Sequence, residues 1–513
     1  MRGFQQSFFN LGLLIWGFIF LSPVLAFDFN TLTPALKIVS VACGSKHSLI
    51  LLNDGTVWGC GANEYGQLGD NRGVNHRVPV KIPGLVDVTT IACGANFSLA
   101  LKKDGTVWGW GLNENGLLWG TGNVPVKIPG LKNITFIVCG PSHAFAVKKD
   151  GTVWGWGSNR FGQLGDGTYQ DHKLPFQIEG LKKVKTIACG TKHTAIVKMD
   201  GTLWVWGSND SGQLGDGTRV SQLKPVPVSE LSGIVGVACG SEHTVALKKD
   251  GSVLSWGANG SGQLGDGTKT EKLQPVQVTR LGEAAAVAGG SNFNLALKKD
   301  GTLWGWGSDS FGELGDVKAV ESMDKCIPCC GKNNIYYYDK PEPVPVTEGT
   351  GVAIIACGES FAMMVKDDGT IWSWGLNNYG QLAEGSVIDR LAPAQNFYGR
   401  IVGKMVLQYQ NITADRARAR LDQEKDVFLL DVRAPEEFRQ KHLRNSQLIP
   451  ADRLENEVQT RISDKNTPIL VYCKGGTRSA KAADILIRLG YQNVSNLLDG
   501  IDGWPYETVS SGQ

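Results

Sequence analysis

Cys473 lies in the segment of the chain whose residue types best fit covalent chemistry. It ends the apolar run PILVYC and is followed by two cations and three small residues, Lys474, Gly475, Gly476, Thr477 and Arg478. The glycines allow the loop to curl so that backbone N–H groups point inward, and a helical pattern begins directly after it. Amides, a helix N-terminus and cations all stabilise a thiolate, so we expect the pKa of Cys473 to lie below the free value of about 8.5. A nucleophile beside a cradle for a small anion is predicted, rather than a structural thiol.

The elements around this cysteine alternate between strand and helix patterns. DVFLLDVR and PILVYC have the composition of buried strands, and SAKAADILIRLG is typical of a helix that ends at Gly490. This alternation predicts a small α/β domain with a parallel sheet. Functional sites in such sheets lie at the carboxyl ends of strands, which is where Cys473 falls. Asp431 ends the neighbouring strand, and we expect Arg433 and Glu437 to form an ion pair; all three are predicted to give structural support.

Most of the chain repeats a different motif. The boxes ACG, DGTVWGWG and GQLGDGT recur at a period of about fifty residues. The anchoring glycine appears seven times, as Gly44, Gly94, Gly140, Gly190, Gly240, Gly290 and Gly358. Asp-Gly pairs such as Asp104-Gly105 predict tight hairpins, and the tryptophans of the WGWG runs are predicted to be core spacers between strands. Seven such units predict an all-β, seven-bladed propeller.

The chain therefore divides into domains, as its 513 residues also suggest. We predict a signal peptide at residues 1–26, a propeller at 27–410 with an insertion at about 317–340, and the α/β domain at 411–513. The segment GRIVGKMVLQYQN, at 399–411, reads as a partial repeat. We expect it to supply a strand shared between the first and last blades, which would close the ring.

The N-terminus indicates export. Arg2 precedes an apolar stretch, and the small residues Val24 and Ala26 fit cleavage after Ala26. The alternative is an uncleaved membrane anchor, because the stretch approaches the length that spans a bilayer. We expect a periplasmic or extracellular protein, or one tethered by this segment. A formal net charge of +2 without a polybasic run excludes nucleic acid as an expected partner.

Nine of the ten further cysteines fall into recurring or clustered positions. Six occupy one place in the repeats: Cys43, Cys93, Cys139, Cys189, Cys239 and Cys357. The sixth copy has Gly289 there, which favours a need for small volume over metal binding, since a metal would require several blades to converge. In the insertion, Cys326, Cys329 and Cys330 favour a local disulfide with one thiol left over; a metal site there would lack a second pair or a histidine. We expect no metal and no cofactor.

The repeated boxes resemble the regulator of chromosome condensation repeat, and the resemblance covers all seven copies. It implies the propeller fold. Founders of that family include a nucleotide exchange factor for a small GTPase that docks on chromatin, but the basic tail used there has no counterpart in this sequence. The expected role of the propeller is a recognition platform for an unknown protein ligand.

The C-terminal stretch resembles the rhodanese sulfurtransferase domain through LLDVRAPEEF, VYCKGGTRS and LLDGIDGW. The resemblance implies that Cys473 takes sulfane sulfur from a small anion such as thiosulfate, becomes a persulfide and passes the sulfur to a thiol-type acceptor or cyanide. Residues 474–478 would cradle the anion. Related phosphatases have a loop one residue longer, whereas four residues separate Cys473 from Arg478 here, which matches the sulfur-handling size.

Two features keep alternatives open. The turn KHLRNSQLIP keeps His442 but has Lys441 and Asn445-Ser446 where the family carries glycine and Gly-Ala. This departure leaves open the shape of the wall of the substrate pocket and, with it, the identity of the sulfur donor. The alternative function is a binding or scaffold protein, in which the propeller acts and the rhodanese domain docks or senses oxidants through Cys473.

Overall fold

The computed structural model describes residues 36–113, 116–118, 122–229, 231–316, 339–396, 409–424, 426–491 and 493–510. The predicted signal peptide, the three cysteines of the insertion and all but the end of the 399–411 segment lie outside these residues. Within them the chain forms seven four-stranded sheets and one five-stranded sheet. No described helix is both long enough and apolar enough to cross a bilayer.

Each four-stranded sheet is one blade, built from four consecutive antiparallel strands. Blades one to three comprise Ile38–Cys43, His47–Leu52, Val57–Gly61 and His76–Lys81; Val88–Cys93, Phe97–Lys102, Val107–Gly111 and Val126–Lys127; and Ile134–Cys139, His143–Lys148, Val153–Gly157 and His172–Ile178. Blades four and five comprise Val184–Cys189, His193–Lys198, Leu203–Gly207 and Gln222–Pro227; and Ile234–Cys239, His243–Lys248, Val253–Gly257 and Lys272–Gln277. Blades six and seven comprise Ala284–Gly289, Phe293–Lys298, Leu303–Gly307 and Lys340–Pro345; and Val352–Cys357, Phe361–Lys366, Ile371–Gly375 and Arg390–Gln395. The predicted seven-bladed propeller is confirmed.

The Asp-Gly pairs close the hairpins between the second and third strands of the blades. In blade two, Gly105 has a φ of 76°, a left-handed conformation that glycine adopts without strain. The carboxylate of Asp104 accepts hydrogen bonds from the backbone N–H of Thr106 at 3.0 Å and from its hydroxyl at 2.6 Å. These bonds lower the pKa of Asp104 and fix the turn that the sequence predicts.

The second tryptophan of the WGWG runs fills the space between blades. Trp206 is fully buried, and its indole N–H donates to the backbone carbonyl of Gln163 in the preceding blade at 2.8 Å. Trp256 makes the same bond to Gln213 at 2.9 Å. The other fully buried tryptophans of this set are Trp110, Trp156, Trp306 and Trp374. The prediction that the tryptophans are core spacers is confirmed for this second position, where each also satisfies its only polar atom. The first tryptophan of the runs, such as Trp154 and Trp204, is only partly buried.

The prediction that residues 399–411 supply a strand for ring closure falls almost wholly outside the described residues, which include only 409–411 of this segment. Blade seven is completed by its own strand Arg390–Gln395, and Gln410–Ile412 pairs instead in parallel with Val494–Leu497 of the C-terminal sheet. Blades one and seven meet through a shared apolar cluster and through the Ser48 hydroxyl, which donates to the Gln381 carbonyl at 2.5 Å. Among the described residues, each blade is made of four strands of its own repeat, and side-chain packing joins blade one to blade seven.

The C-terminal domain is a parallel sheet with helices. Its strand order is Gln410–Ile412, Val494–Leu497, Ile469–Tyr472, Phe428–Asp431 and Gln447–Leu448. The helices are Ala414–Gln423, Pro435–Gln440, Leu454–Arg461 and Thr477–Arg488. All four residues of the central strand Ile469–Tyr472 are buried, as its apolar sequence predicts. The sequence patterns did not reveal the helix Leu454–Arg461 or the short strands at the sheet edges.

Candidate active site

Cys473 follows the central strand and precedes the helix Thr477–Arg488, so it lies at the carboxyl edge of the sheet. Cys473 is 1% exposed. The chain turns into the helix through Gly476, whose φ is +83°. A Cβ at this position would overlap the carbonyl oxygen of Leu498, so only glycine fits both the conformation and the space.

The loop after Cys473 presents unused backbone donors. Within the described chain, none of the N–H groups of residues 474–478 donates to a backbone carbonyl. A Cβ added to Gly475 would meet no atom within 4 Å, so the loop is open on that side. Free amides at a helix N-terminus form a cradle for an anion, as the sequence predicts for this loop.

A hydroxyl that sequence reasoning missed contacts the sulfur. Ser479 is fully buried, and its Oγ lies 3.3 Å from the Sγ of Cys473 and 3.0 Å from the carbonyl oxygen of Gly476. A single hydroxyl proton serves one acceptor at a time, so an anionic sulfur would compete for it. The signal in the sequence was the serine directly after Arg478, which is the third residue of the helix.

Arg478 forms the strongest charged contact near the loop. Its two terminal nitrogens donate to the two carboxylate oxygens of Glu437 at 2.7 and 2.8 Å. These hydrogen bonds lower the pKa of Glu437 to about 2. The predicted ion pair between Arg433 and Glu437 is therefore wrong, because the carboxylate is turned toward the cysteine loop. The same hydrogen bonds raise the pKa of Arg478, so the guanidinium next to the cysteine loop keeps its charge.

Arg433 pairs instead with the end of its own strand. Its guanidinium donates to Asp431 at 2.7 Å and to the carbonyl of Lys441 at 2.6 Å. Asp431 is fully buried and Arg433 is 4% exposed, so each charge depends on the other for compensation. The pair joins the strand that neighbours Cys473 to the turn after the helix Pro435–Gln440.

The turn that departs from the family pattern keeps a glycine-like backbone. Asn445 has a φ of 65°, and asparagine tolerates this left-handed conformation better than most residues. Ser446 donates to the carbonyl of Leu443 at 2.7 Å and accepts from the hydroxyl of Tyr472 at 2.9 Å. Burial raises the pKa of Tyr472, which keeps this hydroxyl protonated as a donor.

The six repeat cysteines converge on the axis of the propeller. Together with neighbouring backbone they line a cavity of about 150 Å³. Burial raises the pKa of Cys239 to about 12, and the Sγ of Cys93 lies 3.5 Å from the carbonyl oxygen of Ala42 in the adjacent blade. Several blades therefore do converge on this cavity, which is the arrangement that metal binding by these cysteines would require. Even so, the described residues contain no group of three or more potential ligands placed to hold a metal ion.

Comparison with known proteins identifies both parts of the chain. Residues 22–293 match the model of the RCC1-like domain, and the regulator of chromosome condensation repeat matches at 284–313 and 352–381, and again at 300–365 and 368–403. Residues 413–506 match the rhodanese-like domain. The fold and site thus define a propeller protein with an attached rhodanese-like domain. The chain belongs to the RCC1-like family.

Curated relatives match the C-terminal domain. A putative mitochondrial thiosulfate sulfurtransferase of Schizosaccharomyces pombe is 30% identical over 122 residues, which cover 21% of this chain and 84% of the relative. A sulfurtransferase of Allochromatium vinosum is 32% identical over 95 residues, or 18% of this chain and 85% of the relative. The thiosulfate sulfurtransferase PspE of Escherichia coli is 37% identical over 67 residues, 13% of this chain, and the match spans only 64% of its length.

Solved structures match the propeller. Prp20p from Saccharomyces cerevisiae superposes with a TM-score of 0.58 and 22% identity, covering 71% of this chain and 87% of that one. Human WBSCR16 gives a TM-score of 0.57 and 22% identity, with 66% and 93% coverage. At this identity the similarity establishes the fold alone.

Proposed function

We propose that the C-terminal domain is a rhodanese-type sulfurtransferase that carries sulfane sulfur as a persulfide on Cys473. The observation that carries the proposal is the position of the thiol: it ends the central strand, inside a loop whose amides are unused within the described chain. The curated relatives named thiosulfate sulfurtransferase and sulfurtransferase support this reaction class.

The first half-reaction forms the persulfide. The Cys473 thiolate attacks the outer sulfur of thiosulfate, a sulfur–sulfur bond forms to the enzyme, and the sulfur–sulfur bond of thiosulfate breaks with its electron pair leaving on sulfite. The loop amides and the Ser479 hydroxyl stabilise negative charge on the sulfur before and after this transfer. Arg478, fixed by Glu437, keeps a positive charge beside the loop.

The second half-reaction returns the enzyme to its starting state. A nucleophile such as cyanide or a thiolate attacks the outer sulfur of the persulfide and leaves as thiocyanate or as a new persulfide, while the Cys473 thiolate departs with the bonding pair. No oxidant or reductant is consumed.

The propeller is proposed as a platform that brings a protein partner to this activity. Prp20p, which shares this fold, binds Gsp1p and histones, and this precedent supports a protein-binding role for the propeller. The net charge of +2 gives no support for a nucleic-acid partner. We also propose that the protein is exported, on the strength of its N-terminal sequence.

The test is turnover by the full chain with thiosulfate and cyanide, followed as thiocyanate. Cys473→Ser is expected to abolish turnover. The matched control is Cys60→Ser, because Cys60 is a fully buried thiol in blade one whose pKa burial raises to about 12. This variant should keep wild-type turnover. Unchanged turnover in Cys473→Ser, or none in the wild-type chain, would favour the binding or scaffold function instead.

A further inference from the structure

Blade six differs from the other blades at one buried side chain. Asp309 stands where the remaining blades carry an amide, namely Asn63, Asn113, Asn159, Asn209, Asn259 and Asn377. Asp309 is 1% exposed. Asparagine and aspartate have nearly the same shape, but an ionised aspartate has a second acceptor oxygen where asparagine has its donating NH₂ group.

In the other blades the amide oxygen accepts from a backbone N–H and, where its contacts are seen, the amide nitrogen donates to a carboxylate; in blades three, four, five and seven it also lies within hydrogen-bond distance of backbone carbonyls. In blade five, the Oδ1 of Asn259 accepts from the backbone N–H of Leu264 at 3.0 Å, and its Nδ2 donates to the carboxylate of Asp266 at 3.3 Å. Blade three repeats this pattern, with Asn159 donating to Asp166 at 2.9 Å. The side-chain nitrogen thus links the strand end to a carboxylate seven residues further on.

Blade six keeps one of these contacts and lacks the other. The Oδ1 of Asp309 accepts from the backbone N–H of Leu314 at 3.1 Å, which matches the amide oxygen elsewhere. Its Oδ2, at the place of the amide nitrogen, is buried and has no hydrogen-bond partner among the described residues. Seven residues on stands Asp316, again a carboxylate. Blade six therefore has an acceptor at the place where the other blades have a donor directed at this carboxylate.

The charges around Asp309 come from three side chains. Asp316 and Glu313 are acidic, and Lys340, the first residue of the outer strand of blade six, lies with its Nζ 3.4 Å from Asp316. Glu313 is itself 2% exposed, and burial raises its pKa. If Asp309 were ionised, three carboxylates would face a single ammonium group; if it is protonated, its O–H restores the missing donor.

We propose that Asp309 holds a proton which it donates to Asp316, so that blade six contains a pH-sensitive contact that is lost when the proton leaves. A carboxylic acid has nearly the shape of an amide, so the protonated side chain reproduces the contact of the other blades. Asp316 is bound on its other side by Lys340, so the contact ties the turn at Asp316 to the outer strand Lys340–Pro345.

The pH range of this contact follows from its surroundings. Burial, followed by the charges of Asp316 and Glu313, raises the pKa of Asp309 to about 7. The unfolded side chain would ionise near its ordinary value of about 3.9. The folded form therefore retains the proton through mildly acid pH and loses it near neutrality. The stabilising contact is present at low pH and weakens as pH rises toward and above about 7.

Hydrogen exchange on the full chain tests the proposal. After correction for the intrinsic effect of pH, the amides of Lys340, Glu342 and Val344 in the outer strand of wild-type blade six are expected to lose about tenfold in protection from about pH 6 to about pH 8. Asp309→Asn, which installs the amide of the other blades, should abolish this loss. The reverse change in blade five, Asn259→Asp, should create the same pH dependence in its outer strand Lys272–Gln277.

Infrared spectroscopy gives a second readout that does not depend on blade stability. The wild type at about pH 6 should show a protonated-carboxyl band that Asp309→Asn lacks and that disappears from the wild type on raising the pH. Absence of that band, or an equal pH dependence of protection in wild type and Asp309→Asn, would overturn the proposal. Loss of protection on adding a chelator at constant pH would also overturn it, since a bound cation would then replace the proton.

Discussion

Replacement of Gly476 by alanine is the sharpest test of how the cysteine loop is built. The residue has a φ of +83°, a conformation that costs an alanine about 1–2 kcal/mol. In addition, the new methyl group would overlap the carbonyl oxygen of Leu498 and lie 2.8 Å from its carbonyl carbon. The loop must therefore shift by roughly 1 Å, and a misplacement of this size costs about 100-fold in rate. We expect Gly476→Ala to lose at least about 100-fold in kcat/KM for thiosulfate.

Gly475 supplies the matched control one residue earlier. A methyl group there would meet no atom within 4 Å, and the residue does not have a positive φ. Gly475→Ala should therefore change stability by no more than about 0.5 kcal/mol and leave turnover close to wild type. The assay is thiocyanate formation by the full chain, with thermal unfolding followed in parallel. Equal loss of activity in both variants, or wild-type turnover in Gly476→Ala, would refute this account of the loop.

Two further predictions concern other charged or titratable groups. Burial lowers the pKa of His193 to about 3, so the folded side chain stays neutral while the unfolded one takes up a proton below its ordinary pKa of about 6.5. The contribution of this residue to the free energy of unfolding is therefore complete above about pH 6.5 and falls on acidification by up to about 1.4 kcal/mol per pH unit. His193→Phe, which copies Phe293 of blade six, should remove this contribution from the free energy measured by denaturant unfolding. An unchanged dependence of that free energy on pH would contradict the prediction. Glu437→Gln should weaken the ion pair that positions Arg478 and lower kcat/KM about tenfold. The control is Glu436→Gln, which alters only the exposed ion pair with Arg439 and should have no effect. Equal effects of the two variants would show that the position of Arg478 is unimportant.

The propeller could be predicted from sequence because each blade is made of local contacts. The Asp-Gly hairpins and the spacing of tryptophan and glycine are written into every repeat, so seven repeats give seven blades. The contact between the first and last blades could not be predicted in this way. Among the described residues it includes packing between residues more than three hundred positions apart, such as Ser48 and Gln381.

The cysteine loop could be predicted for a similar reason, but the ion pair that positions Arg478 could not. Cys473 and the glycines after it are adjacent in sequence, so residue types alone indicate their chemistry. The partner of Glu437 is decided by which way its side chain points, and the structure places it toward Arg478, 41 residues away, rather than toward nearby Arg433. Spacing along the chain favoured the wrong arginine because sequence proximity does not fix side-chain direction.

The most direct test of the central claim is mass spectrometry of the full chain after incubation with thiosulfate and before any acceptor is added. The account predicts a gain of about 32 Da, one sulfur atom, on the peptide that contains Cys473. The peptide that contains Cys93 should show no gain, because burial raises the pKa of that thiol. Addition of cyanide should return the Cys473 peptide to its original mass. An unmodified Cys473, or equal gains on both peptides, would contradict the claim that this loop creates the reactive sulfur.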